Sequence, residues 1–271
     1  MTAPPATTAT KFGGLVGVLH LPPLPGSPRA MLGMARICED AAREAFLLAD
    51  LGFDLVMIEN FGDAPFFPGR VPSVTVSAMT ACVCAVRDRV PKLPLGVNVL
   101  RNDADSALAI AAVVDAACIR VNVHTAARVT DQGLIQGDAA NTLRTRRALG
   151  ASSIAIWADV DVKHAAALAP RPIGDEAKDI FYRGMVEALL VTGQGTGGAV
   201  DRADLAAVRG AVPKAPLFVA SGTRAEELSA LAAHCDGVIV GSAIREGGIA
   251  GAPLDPVRCR AFAEAFRSAF R

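Results

Sequence analysis

The chain carries no surplus of either charge. Its 27 Lys+Arg against 27 Asp+Glu leave a formal net charge of zero. A nucleic-acid binder resting on global positive charge is thereby excluded, since phosphates require a cation excess. It lacks a CxxC pair and any zinc-finger spacing of Cys and His. Its six cysteines, Cys38, Cys82, Cys84, Cys118, Cys235 and Cys259, sit in or beside apolar runs and read as reduced core thiols. No apolar run reaches the roughly 20 residues that span a bilayer, and the N-terminus has no basic start followed by an apolar stretch. The expectation is a cytoplasmic chain with no membrane partner. Aromatic residues are sparse, with one Trp and one Tyr, so Trp157 and Tyr182 read as packing residues.

What is abundant is apolar residue content, 52% against 20% charged, over 271 residues. That excludes a disordered chain. The Pro/Ala/Thr-rich residues 1–11 read as a flexible tail and 12–271 as one domain. Along that domain short apolar runs alternate with Ala-rich helical stretches. Strands are expected at 15–20, 54–59, 94–100, 118–123, 152–160, 187–193, 216–222 and 236–242. Helices are expected near 30–51, 74–89, from 103, 138–150, 175–186, from 201, 224–233 and 255–270, with Asp103 or Asp105 capping the third. Strands that read as continuous apolar runs are covered on both faces, as in parallel sheets. Eight β/α units in about 260 residues predict an α/β fold of the single (β/α)8 TIM barrel type. An open doubly wound sheet would show a glycine fingerprint after its first strand, and LHLPPLPGSPR is not one.

Chemistry in such barrels sits where strands end. The most specific signal there is FVASGTRAEELSALAAHCDGVIVGSAIREGG. Ser221, Gly222, Gly241 and Ser242 follow the seventh and eighth strands, where small residues let backbone N–H groups approach an anion. Ser242 is placed to open a short helix, and Arg245 either adds charge or is solvated. The stretch resembles the phosphate-binding half of the barrels that include the tryptophan synthase α-subunit and the histidine-biosynthesis enzymes. The sixth-strand loop, with Gln194 among its glycines, reads as a second nest of N–H groups or a lid.

The acid, base and cation candidates follow. If the fifth strand continues, alternation puts Asp159, Asp161 and Lys163 of ADVDVKHA on one side. Such a set could bind a metal, tune a base, hold a sugar hydroxyl or form an ordinary ion-pair cluster. Lys163 could form a Schiff base if burial lowers its pKa. Asp161-x-Lys163 resembles the acid–lysine motif of the orotidine-phosphate decarboxylase superfamily. Ala166 stands where that motif needs a second Asp, so its activity does not transfer. Glu59 is a candidate base, or with Asp63 a cation ligand; Mg2+ is the cofactor considered. His20 suits acid–base work. His124 and His164 are weaker loop candidates, and His234 reads as a surface residue.

GVLHLPPLPGSPR at 17–29, MIENFGDAPF at 57–66, GVNVLRNDA at 96–104, IRVNVHTAA at 119–127, ADVDVKHA at 158–165 and DGVIVGSAI at 236–244 resemble the BtpA/SgcQ family over nearly the whole domain. The resemblance implies a (β/α)8 barrel. It implies site positions at His20, Glu59, Asn60, Asp63, Asn98, Arg101, Asn122, Asp159, Lys163 and His164. TGQGTGG departs from the expected sixth-strand loop. Family labels include photosystem I biogenesis, sugar utilisation and a loose nucleoside-triphosphatase description. Two functions follow. One is an enzyme, a lyase, isomerase or hydrolase, acting on a small phosphorylated metabolite such as a sugar or nucleoside phosphate. The other is a non-enzymatic photosystem I biogenesis factor. A homo-oligomer is expected, because barrels pair through outer helices, although the Phe262, Phe266 and Phe270 stripe reads as core.

Overall fold

A computed structural model describes residues 14–193, 198 and 200–270; the expected tail and Gln194 lie outside the described residues. Among the described residues the strands are β1 (Leu15–His20), β2 (Leu55–Glu59), β3 (Leu95–Asn98), β4 (Cys118–Val121), β5 (Ala127–Thr130), β6 (Gly133–Gln136), β7 (Ala155–Asp159), β8 (Ala165–Ala167), β9 (Ala188–Val191), β10 (Leu217–Val219) and β11 (Gly237–Val240). Eight of them close a parallel barrel in the order β1-β11-β10-β9-β7-β4-β3-β2. The remaining three, β6-β5-β8, form a small antiparallel sheet. The (β/α)8 expectation therefore holds, with β10 and β11 as its seventh and eighth strands.

The helices are α1 (Met34–Asp50), α2 (Ser73–Arg89), α3 (Ala104–Val113), α4 (Ala139–Ala148), α5 (Ile173–Lys178), α6 (Arg202–Ala211), α7 (Leu228–Leu231) and α8 (Pro256–Ala269). Several start where a short acidic side chain satisfies the free N–H groups of the first turn. Asp103 accepts from Ser106 N at 3.0 Å, Asp201 from Ala203 N at 2.8 Å and Asp255 from Val257 N at 2.9 Å. Pro256 follows Asp255 at the first helical position, where its missing N–H costs nothing. The seventh helix is shorter than expected, a 3-10 turn at 225–227 running into α7. The expected helix over 175–186 is α5 followed by a π-turn at 179–183.

Period-2 alternation divides the core. Val16 and Val18, Leu55 and Met57, Ala155 and Trp157, and Leu190 point into the barrel lumen, where Trp157 stacks on Phe218 with centroids 4.8 Å apart. Residues between them pack outward under the helices. Phe262 and Phe266 belong to that outer core and Phe270 packs against it, so the aromatic stripe of α8 faces inward. The lumen's alternation carries one step further on several strands and ends in a polar residue: His20, Glu59, Asn98 and Asp159. His20 is paired in register with Glu59, and Glu59 with Asn98, so three of them stand at one level of the barrel mouth.

Candidate functional site

The centre of the mouth is an arginine that sequence reasoning missed. Arg120 of β4 is buried between two carboxylates. Its Nη2 donates to Asp159 Oδ1 and Oδ2 at 3.0 and 3.2 Å, and its Nη1 stands 3.2 Å from Glu59 Oε1. Neutral amides complete the set. Asn98 Nδ2 donates to Glu59 Oε1 at 2.9 Å and Asn122 Nδ2 to Asp159 Oδ2 at 2.5 Å. Burial alone would raise the Glu59 carboxyl. The Arg120 guanidinium and the Asn98 hydrogen bond outweigh it and hold Glu59 below the usual carboxylate range. Two carboxylates beside one guanidinium give the group an excess negative charge, balanced by what surrounds it.

Lys163 and His20 share a cavity of about 40 Å3 with Glu59 and Arg120. Burial, and after it the positive charge of Arg120, pull the Lys163 ammonium below its ordinary range. The backbone of Lys163 is fixed by buried Arg101, whose Nη2 donates to the Lys163 carbonyl at 2.6 Å. His20 is pushed down to about 3, first by burial and next by the charge of Arg245. It is therefore neutral near pH 7. Its Nδ1 accepts the N–H of Gly251 at 3.1 Å, which leaves the ring proton on Nε2. That nitrogen faces Gly241, where an added Cβ would lie 3.2 Å from it. Phe61 stacks on the His20 ring, with centroids 4.3 Å apart. A neutral imidazole donor, an ionised carboxylate and a depressed amine on one cavity are the parts of proton transfer next to a carbonyl.

The loops after β10 and β11 adjoin this cavity. Gly222 and Ser242 line both the narrow cavity and a cleft of about 510 Å3 outside it. Gly222 has φ +71°, a left-handed turn that a side chain would strain. Ser242 opens a 3-10 turn over 242–244, as its spacing predicted. Thr223, not singled out from the sequence, is buried on the cleft wall with its hydroxyl lacking a hydrogen-bond partner among the described residues. Buried hydroxyls are rarely left so, and a ligand oxygen is one way to satisfy them. Arg258 also lines the cleft.

Other expectations resolve differently. β7 ends at Asp159, so the alternation does not carry on to Asp161 and Lys163. Asp161 is exposed and lies 3.5 Å from Arg128 of the small sheet, apart from the Asp159–Lys163 group. Asp63 is engaged by Leu24 N at 2.8 Å and Asn60 Nδ2 at 3.1 Å, while Asn60 Oδ1 accepts Leu100 N at 2.7 Å. These two tie the loops after β1, β2 and β3 together. Glu59 and Asp63 thus have separate protein partners. Among the described residues no group of three or more His, Cys, Asp or Glu side chains could hold a metal ion. Arg245 is neither solvated nor on the wall of the cleft. It is buried, donates to Val18 O at 2.9 Å and to Ala252 O, and stands 3.5 Å from Glu44. His124 is buried against Gly184 O at 2.9 Å, and His164 is exposed beside Lys163. All six cysteines are free thiols, and no helix among the described residues is long and apolar enough to cross a membrane.

Comparison with known proteins gives a family and a fold. A family model described as the BtpA family matches residues 11–268. A Synechocystis protein named photosystem I biogenesis protein BtpA is 43% identical over 251 residues, covering 93% of this chain and 87% of that one. The solved structure of KGPDC from Streptococcus mutans superposes with a TM-score of 0.60 at 12% identity, over 96% of this chain and 100% of that one. Phosphoribosyl anthranilate isomerase from Thermus thermophilus superposes with a TM-score of 0.55 at 14% identity, over 94% and 98%. At these identities the structural likeness speaks for the barrel alone.

Proposed function

The chain belongs to the BtpA family, and from that premise we propose that it is an enzyme acting on a small phosphorylated metabolite, a sugar or nucleoside phosphate. The observation that carries this reading is the shared wall. Gly222 and Ser242 separate the cavity of His20, Glu59, Arg120 and Lys163 from a cleft whose Thr223 hydroxyl has no hydrogen-bond partner among the described residues. A ligand of that class would rest its phosphate in the outer cleft, on loop N–H groups and hydroxyls, and extend its other end over the shared wall to the charged cavity. Binding energy gained at the phosphate would then orient the reacting end. Glu59 would act as the base and the His20 Nε2–H as a neutral donor to developing oxygen charge. The phosphoribosyl substrate named for the isomerase neighbour is consistent with this reading.

The name of the Synechocystis relative favours a second reading, a non-enzymatic factor in photosystem I biogenesis. A scaffold would use its outer surface and has no need of a buried Glu59–Arg120–Asp159 group at the barrel mouth. Thermal shift with inorganic phosphate, sugar phosphates and nucleotides, each with and without Mg2+, tests the two. A ligand present at 100 times its dissociation constant stabilises the fold by about 2.7 kcal/mol. The enzyme reading expects stabilisation by a phosphorylated sugar or nucleoside that is lost in Glu59→Gln and Ser242→Asp. Absence of stabilisation by every phosphate tested, in folded protein, would move the weight to the scaffold.

A further inference from the structure

Lys163 is half-buried and, among the described residues, makes no ion pair with a carboxylate. Both carboxylates of the mouth are bonded by Arg120, Asp159 through two oxygens and Glu59 through one, and their charges reach the lysine only from beyond contact distance. The remaining polar contacts to those carboxylates come from Asn98 and Asn122. Among the described residues no carboxylate lies within ion-pair distance of the lysine amine. A lysine kept only for charge would be placed against one of them. This one lines the narrow cavity, beside a fixed guanidinium, with its main chain clamped by Arg101. An amine that is desolvated and next to another cation is activated as a nucleophile.

We propose that Lys163 forms an imine with the carbonyl carbon of an open-chain ketose or aldose phosphate whose phosphate rests in the cleft behind Gly222 and Ser242. The proposal deepens the reading above and rests on it. The Nζ lone pair attacks the carbonyl carbon, and the carbonyl oxygen becomes a hydroxyl in the carbinolamine. Loss of water then forms the C=N bond. The two protons of the amine leave in that water, and nothing is oxidised or reduced. Once protonated, the imine withdraws electrons from the adjacent carbon. Glu59, on the same cavity, is the carboxylate placed to take a proton there. The small cavity suits the carbonyl end, and the larger cleft the phosphate.

Trapping with sodium borohydride tests this on the full chain. The probes are dihydroxyacetone phosphate, glyceraldehyde 3-phosphate and ribulose 5-phosphate, with inorganic phosphate as the carbonyl-free control. Hydride adds to the imine carbon and fixes a secondary amine. The protein gains the mass of the probe less one oxygen, and peptide mapping locates it. The background is low, since the other lysines are Lys11, Lys92, Lys178 and Lys214. The expected result is one adduct on the peptide containing Lys163, absent from Lys163→Met and Lys163→Arg, with both variants checked for the wild-type melting transition. If either variant fails to fold, competition with inorganic phosphate replaces it, and the adduct must fall as phosphate rises. Stabilisation by a probe without an adduct overturns the imine and leaves the phosphate reading standing. An adduct that persists in both folded variants, or is indifferent to phosphate, also overturns it. Neither stabilisation nor adduct with any probe overturns both.

Discussion

Arg120 Nη2 bonds both carboxylate oxygens of Asp159, at 3.0 and 3.2 Å, inside a barrel whose lumen is otherwise apolar just below. Such a pair is held by geometry and by its extra partners, since burying it is costly. Removing one member leaves the other charge without compensation. Arg120→Met is expected to destabilise the fold by about 3–5 kcal/mol, because it strands both Asp159 and Glu59. Asp161→Asn removes an exposed partner of Arg128, which keeps Glu176, and is expected to change stability by less than about 1 kcal/mol. Urea unfolding of the two variants beside the wild type checks both. Equal losses would mean that the mouth group is not the buried unit its distances describe.

That contrast also marks what was legible in the sequence. The barrel was readable because strands covered on both faces appear as apolar runs, and eight of them alternate with helices. His20 and Glu59 were readable because each closes an expected strand, and Asn98 and Asp159 because they lie close to the ends of theirs. Arg120 was missed although the same alternation contains it: Cys118 points into the lumen, and Arg120 is two residues on. An arginine within an apolar run looked like a strand residue, and its carboxylate partners are 39 and 61 positions away. The continuation of the fifth strand failed for the converse reason. Alternation holds only while the strand lasts, and β7 stops at Asp159 before the chain turns into the small sheet. The short strands of that sheet, three or four residues each, are too brief for a period to show.

His20 gives the fold a pH dependence of known sign. Its folded pKa of about 3 lies well below the unfolded value of roughly 6.5. Between those values the unfolded chain binds a proton that the native protein refuses, so stability falls as pH drops through the window and is unaffected above it. From pH 7.5 to pH 5 the wild type is expected to lose about 2 kcal/mol more than His20→Gln, at about 1.4 kcal/mol per pH unit below 6.5. Urea midpoints of both proteins at the two pH values measure the difference. Parallel losses would show that His20 titrates normally.

Thr223→Val separates stability from binding. The hydroxyl is buried without a partner among the described residues, and replacing it by a methyl of similar shape removes a desolvation cost of about 1–3 kcal/mol. The free protein should be as stable as the wild type or more so. Its stabilisation by the phosphate ligand should nevertheless shrink, because the cleft has lost a donor. Thermal shift with and without ligand reads both quantities in one experiment. A variant destabilised when free would mean that the hydroxyl already has a bonded partner.

Arg245 controls His20 from behind. Its guanidinium ties β1 through Val18 O, α1 through Glu44 and the 250–254 loop through Ala252 O. Gly251 of that loop is the residue that donates to His20 Nδ1. Two of the influences that depress His20 therefore depend on Arg245: its charge, and the cover its loop provides. In Arg245→Met the charge is gone and the loop has lost an anchor, so both changes act in the same direction. The His20 pKa is expected to rise by about one to three units, the range over which a nearby charge acts. Glu44→Gln keeps the guanidinium and removes its counter-charge, so it should push His20 no higher than in the wild type. Imidazole chemical shifts followed by NMR against pH distinguish the two. A His20 that titrates alike in all three proteins would leave burial, with the charges of Lys163 and Arg120, as the cause of its neutrality.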